Sequence, residues 1–580
     1  MKREALIILL LSVICGGVQC YMIWRAVTPA QDAVRFVAIA QRMEQDGIVS
    51  TLRDETEHPL YPLAIRATYP VITSVCGERV DNWALAAQVA AALPLVLCLI
   101  PTYLLLRTVL DSGGGAFGTV LFALSPEFIA FGGGALADGW MILFTSTFLC
   151  CIARILLLTK SNSARNSTLR CAGLATISGL ALGLGAVAHQ LTLVAGAAAL
   201  CVASVLIICV APTVHAALRR LVICGITSGL GLCGVLAGWL LAADAVTPTA
   251  AVATLLGRET AETAAVAELL SHSDMTDDAT RGGSSEGGAR LRRRRKSRFT
   301  LASGEPMVFD KKDPNLSLRR QGWLAITAKF LGEMQQAHGL ALGLLAITGA
   351  ALWLRNRSVP GDGHSRKERY LLPVLFGGFF LMYSLTVLIA ASRFGYVSAR
   401  HLLPAVLVAV PLAVEAIQRV MAQLRRWTSL TAEGSASRHL ATASMTAVGC
   451  CLLLMPLFSP LHASRSPHRQ AACWMAETGR PPGNVLDTRG WTQFYSGRKT
   501  HLLSAGRKAL KDPKLRYIVL ERRELGFDTR RAATLREIVG IAANPVATFP
   551  SPDGNAEKAV LIFQWNVREF ATRASQLAKR

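Results

Sequence analysis

Long apolar runs, nearly free of charge, alternate along this chain with short polar segments. A run of about 18 or more such residues crosses a bilayer as a helix. Candidate runs fall at about 5–24, 83–106, 115–134, 137–158, 171–188, 191–210, 221–243, 338–354, 370–391, 401–418 and 440–460. The pattern predicts an α-helical polytopic membrane protein with about 11 transmembrane helices; the short third run and its neighbour also fit a re-entrant pair. Beyond residue 462 the pattern changes. Short apolar stretches at 484–486, 517–520 and 560–563 alternate with helix-like segments such as 529–539, as in a small α/β unit. The expected organisation is a transmembrane domain, 1–462, followed by a soluble α/β domain, 463–580. Two long polar stretches, 25–82 and 244–337, interrupt the membrane part, and the middle of the second, 271–298, has the Ser/Gly/charge-rich composition of a solvated segment. There is no internal repeat.

Composition fits this picture. Of 580 residues, 52% are hydrophobic and only 17% charged, against roughly 25% charged in soluble domains. Mean hydropathy is +0.38. The net charge of +23 does not indicate a nucleic-acid partner, because the basic residues gather in short turns between apolar runs, where they set orientation and meet anionic headgroups. With Lys2 and Arg3 in the cytoplasm, the inner turns hold Arg107, then Arg154 to Arg170, Arg219 and Arg220, Arg355 to Arg369, and Arg419 to Arg438. Both long loops and the C-terminal domain then face outward. No small-x-small site follows the first run, so an uncleaved first helix is expected. Fourteen cysteines include no CxxC pair, so no metal framework is visible and no ligand spacing specifies a divalent ion. Most cysteines lie inside apolar runs; Cys76 and Cys473 do not, and their pairing depends on an oxidising compartment.

The first outward loop carries the candidate chemistry. Pro29 stops the first span, and Asp32 opens an amphipathic stretch suited to the bilayer interface. Glu57-His58-Pro59-Leu60-Tyr61-Pro62 follows, its prolines fixing an extended lead into another helix. A carboxylate held just above the bilayer by a short rigid connection is placed to act on a lipid headgroup. Asp32 also suits a helix N-cap, where Asp is favoured. Further along are Leu124-Ser125-Pro126 before Asp138, 179–183 before His189-Gln190, Ser398-Ala399-Arg400-His401-Leu402-Leu403-Pro404, and the tail segment 490–498. The glycines at 113–115 and 132–134 lack the Lys-Ser/Thr of a phosphate loop and point to tight turns or close helix packing.

In order, these motifs resemble the GT-C class of polyprenyl- or dolichyl-phosphate-sugar-dependent glycosyltransferases, in particular the protein O-mannosyltransferase and aminoarabinose transferase branch. The resemblance covers about 1–460 and a similar tail in some members. It implies an inverting transfer at the outer face from a polyprenyl-phosphate sugar to a lipid, protein or glycan acceptor. Asp32 would be the base, Asp138 a second acidic residue of the site, and His58, Tyr61 and His189 substrate contacts. Arg393, Arg400 and His401, at outward ends of their spans, are candidates to hold the leaving phosphate. The competing reading is a transporter or lipid flippase, which predicts broken helices paired by internal symmetry; a sensor or scaffold would leave the Asp32 loop unexplained.

Overall fold

The computed structural model describes residues 2–55, 57–159, 164–210, 213–244, 322–355, 368–394, 397–431, 457, 461–477, 479–527 and 529–572. The chain is mostly helical. It runs through α1 (Lys2–Arg25), α2 (Gln31–Gln45), α3 (Ile48–Asp54), α4 (Leu60–Cys76), α5 (Asn82–Leu106), α6 (Ser112–Ala123), α7 (Pro126–Gly134), α8 (Asp138–Leu158), α9 (Ala164–Ala188), α10 (Leu191–Val210) and α11 (Val214–Ala242). After the undescribed loop come α12 (Gly322–His338), α13 (Leu340–Arg355), α14 (Glu368–Phe394), a 3-10 turn (Ala399–Leu402) and α15 (Leu403–Thr431).

Among the described residues, eight helices are long and apolar enough to cross a membrane. The predicted run at 115–134 is two helices, α6 and α7, bent by 55°. The cause is local: Pro126, at the first position of α7, has no N–H to continue the ladder of α6. The run at 338–354 becomes α13, of 16 residues, and its apolar part, Leu342–Leu352, is short for a span. The run at 440–460 lies, apart from residue 457, outside the described residues.

Small residues set the closest approach. A Cβ added at Gly231 of α11 would lie 2.9 Å from both Thr176 O and Leu180 N of α9, so those two backbones touch, as at small-residue interfaces in membranes. Gly133 does the same for α7 against α1, with an added Cβ 2.9 Å from Met22 O. The glycines at 132–134 therefore serve packing. Those at 113–115 open α6, where Asp111 accepts from the Gly114 N–H at 2.7 Å and satisfies one of the first-turn donors.

The bundle has two distinct ends. At one, Arg107 pairs with Glu4, Arg220 donates to Thr159 O, and Arg419 donates to Leu352 O at 3.0 Å. At the other, α2 to α4 pack over the starts of α5 and α8, and the C-terminal domain rests on them. That domain contains α16 (Ser466–Ala476), the longer helix α17 (Arg530–Ala542), and strands β1 (Asn484–Asp487), β2 (Thr500–Leu502), β3 (Leu515–Glu521), β4 (Ala543–Phe549) and β5 (Val560–Trp565). The sheet order is β2-β1-β3-β5-β4. β1 pairs parallel with β2 and β3, while β5 runs antiparallel to β3 and β4. Leu486, Ile518, Leu520 and Phe563 form its buried core. Cys76 and Cys473 are both free and exposed.

Candidate active site

Asp32 sits one residue inside α2, whose N-cap is Ala30 and has no side-chain cap bond. The capping reading therefore fails. The Asp32 carboxylate points away from its own backbone and accepts from Arg400 Nη1 at 2.8 Å, with its side chain 47% exposed. Arg400 comes from the 3-10 turn before α15. Glu333 Oε2 of α12 fixes that turn by accepting from the Ala399 N–H at 2.7 Å, and the Tyr383 hydroxyl of α14 donates to His401 O at 2.6 Å.

Asp138, the first residue of α8, is only 4% exposed. Its Oδ2 lies 3.8 Å from Arg400 Nη1, and its Oδ1 lies 4.0 Å from His189 Nε2 yet has no hydrogen-bond partner. One guanidinium thus stands between two carboxylates, which compensates a buried charge that would otherwise be costly. The peptide after Pro29 ties the two acidic segments together, since the Ala30 N–H donates to Gly134 O, just before the Asp138 turn, at 2.7 Å.

Three histidines line the same place. His189, in the turn between α9 and α10, stacks on His58 with ring centroids 6.4 Å apart and lies 6.1 Å from His401. His58 also packs against Trp239 of α11 at 5.6 Å, and its buried Nδ1 has no hydrogen-bond partner. Burial, with His189 beside it, pushes the His58 pKa down to about 3. Burial also lowers His189 to about 4, although Asp138 pulls the other way. Both rings are neutral at pH 7. Asp138, His189 and His401 each offer a ligand atom, all within 4.8 Å of one another, and an Asp/His/His donor set fits a divalent cation.

The sequence-derived residues divide accordingly. Asp32, Asp138, His58, His189, Arg400 and His401 come together. Tyr61 is fully buried, its hydroxyl donating to Ala87 O at 2.9 Å and its ring edge-on to Phe36, so it braces α4 against α5. Arg393 lies in the last turn of α14, and its side chain is outside the described residues. Sequence reasoning missed Trp239, Glu333 and the tail residue Arg465. Only contacts between distant segments reveal them. Arg465 is cationic beside Asp32, its pKa lowered by burial to about 10 against the pull of that carboxylate.

An apolar groove of about 1270 Å³ runs along the bundle, and none of the clustered site residues lines it. Leu331 and Met334 of α12 line it toward the site end, Ile347, Phe376 and Leu412 line its length, and Glu415 lies at the far end.

No protein family matches the sequence, and no curated protein does. Solved structures do match. The chain has the fold of ArnT from Cupriavidus metallidurans: against the structure bound to undecaprenyl phosphate, 96% of this chain and 97% of that one align with a TM-score of 0.53 and 11% identity. Against the apo state the figures are 97%, 98%, 0.51 and 12%. An oligosaccharyltransferase from Archaeoglobus fulgidus, in complex with Zn and sulfate, aligns over 94% of this chain and 72% of its own, at a TM-score of 0.48 and 14% identity. The fold is therefore the one shared by both ArnT structures.

Proposed function

We propose that this protein is a membrane glycosyltransferase that moves a sugar from a polyprenyl-phosphate carrier to a hydroxyl or amine acceptor. The observation that carries the reading is the placement of Asp32 and Asp138 on either side of Arg400 at one end of the bundle. The groove suits an isoprenoid chain, and the guanidinium suits the phosphate at its head. Undecaprenyl phosphate is the ligand of the Cupriavidus ArnT structure with which this chain shares its fold.

In this scheme Arg400 meets the donor phosphate and stabilises the charge that grows on it as the glycosidic C–O bond breaks. Engaging the phosphate draws Arg400 off Asp32. The freed, half-exposed carboxylate then takes the proton of the acceptor as its oxygen or nitrogen attacks the anomeric carbon from the opposite face, which inverts the configuration. A base within hydrogen-bond reach of the acceptor proton is what general-base catalysis requires. Asp138, buried and beside Arg400, holds the guanidinium in place. His58 and His189 supply neutral ring faces to the pocket wall.

In this reading the basic end of the bundle, with Glu4–Arg107, Arg220 and Arg419, is the cytoplasmic one, as the positive-inside rule supports, and the site and the C-terminal domain face the outer side. The decisive assay follows a labelled polyprenyl-phosphate sugar in vesicles with wild type and Asp32→Asn. Loss of glycosyl transfer in a folded Asp32→Asn protein is expected. Transfer at the wild-type rate in that variant would overturn the mechanism, and vectorial movement of the lipid without any glycosidic product would favour a flippase.

A further inference from the structure

The C-terminal domain reaches the Asp32 segment through a set of donors aimed at its backbone. Two of them converge on one carbonyl: Trp491 Nε1 donates to Pro29 O at 3.1 Å, and Arg465 Nη1 donates to the same oxygen at 3.0 Å. A third, Gln493 Nε2, donates to Val34 O at 2.9 Å. Pro29 and Val34 bracket Asp32. Gly490 lets the tail come this close. Its φ of +80° is one that L side chains rarely adopt, and an added Cβ would lie 2.6 Å from Val34 Cγ1.

The donors have rigid backing. Trp491 is 4% exposed, carries the Arg465 guanidinium over its face at 5.1 Å, and takes the His468 ring edge-on at 4.5 Å. His468 is bonded to Glu521 at 3.1 Å, and Glu521 to Arg489 at 3.2 Å. Burial would raise the Glu521 pKa, but the His468 bond and the Arg489 charge bring it down to about 2, so Glu521 stays ionised across physiological pH. A continuous line of contacts therefore runs from the end of β3 through His468 and Trp491 to the Pro29 carbonyl, three residues before Asp32. Ala30 N–H, the other side of that junction, is held by Gly134 O.

We infer that Trp491 and Arg465 are positioning residues, which clamp the Pro29 carbonyl from the C-terminal domain and thereby fix where the Asp32 carboxylate stands relative to Arg400. The inference rests on the reading of Asp32 as the base, but its geometric part is testable without any transfer assay. A base displaced by even 1 Å costs up to about a hundredfold in rate.

The variant Trp491→Phe keeps the ring against His468 and Arg465 and removes only the N–H. Gln493→Ala, at the neighbouring donor, is a milder second variant should the first fold poorly. Amide hydrogen exchange of 31–37 should rise about tenfold in Trp491→Phe, the factor for losing about 1.4 kcal/mol of hydrogen bonding, while β1, β3 and β5 stay protected. In transfer assays kcat should fall at least about tenfold with KM for the lipid donor unchanged, and Arg465→Lys, which keeps a donor, should retain more activity than Arg465→Gln. Unchanged exchange over 31–37 in Trp491→Phe and in Gln493→Ala overturns the clamp, whatever the enzyme does. Raised exchange with an unchanged kcat overturns the positioning role. If wild type itself transfers no sugar, the proposed function fails, and raised exchange would still establish the clamp.

Discussion

Asp32 and Arg400, 368 positions apart in sequence, meet at 2.8 Å at one end of the helical bundle. The contact joins the first polar loop to the turn that opens α15. It also sets against each other the carboxylate and the guanidinium to which the proposed transfer gives the roles of base and phosphate holder.

From this follows the first prediction. Asp32→Asn should lower transfer by about 10²- to 10⁴-fold, the range that general-base catalysis supplies, with little change in thermal stability, because the residue is not a cap and Asn still accepts from Arg400. Arg400→Ala should be more damaging to both quantities, since it leaves the buried Asp138 without its cation. Initial rates and detergent melting curves on both variants check this. Equal loss of stability in the two would refute the division of roles.

A second prediction concerns the Asp138, His189 and His401 cluster. With a neutral His189, a second imidazole at His401 and an unsatisfied Asp138 Oδ1, the cluster should bind Zn²⁺ or Mn²⁺ in detergent-solubilised protein. His189→Ala should weaken binding by at least about tenfold. Isothermal titration calorimetry of the chelator-treated protein measures it, and absence of binding heat at submillimolar ion would remove the cation from consideration.

The histidines also set a pH window. Burial pushes His58 and His189 down to about 3 and about 4 in the folded chain, below the 6.5 of an ordinary imidazole. As pH falls below about 6.5 the unfolded chain takes up these protons first, so stability is full above that value and is lost as pH drops toward 4 and 3. Melting temperature should therefore fall steadily between pH 6.5 and 4, and His58→Gln should flatten that fall. An acid-insensitive wild type in this window would contradict the burial of both rings.

Much of this architecture is legible in the sequence, for physical reasons that differ by element. Membrane spans announce themselves because each must be apolar along its whole length, whatever it packs against. Strands β1, β3 and β5 are buried on both faces and read as apolar runs. By contrast β2 has three half-buried residues, and β4 contains Asn544 and Pro545 on an exposed edge, so neither shows a pattern. At the site, charged residues at span ends can be named in advance, and Asp32, Asp138 and Arg400 were. What they touch is another matter. Tyr61 stands in the same motif as His58, yet His58 precedes α4 whereas Tyr61 is its second residue, and α4 turns that ring into the interface with α5. The tail's grip on Pro29 is invisible in sequence, since a backbone carbonyl has no side-chain signature.

The last prediction tests helix packing within a single element. On α11, a Cβ at Gly229 meets nothing within 4 Å, whereas one at Gly231 runs into backbone atoms of α9. Backbone cannot swing aside like a flexible side chain, so Gly231→Ala must push the two helices apart, breaking their close approach and stretching the hydrogen bond between Ser178 and Ser228 Oγ atoms, now 2.7 Å. Overpacking of this kind costs about 1–3 kcal/mol. Gly229→Ala meets no such obstacle and removes a flexible residue from a helix, a gain of about 0.5–1 kcal/mol. The two substitutions, two positions apart and chemically identical, should therefore shift the melting temperature in opposite directions. Matching shifts would mean that α9 and α11 do not meet along this face.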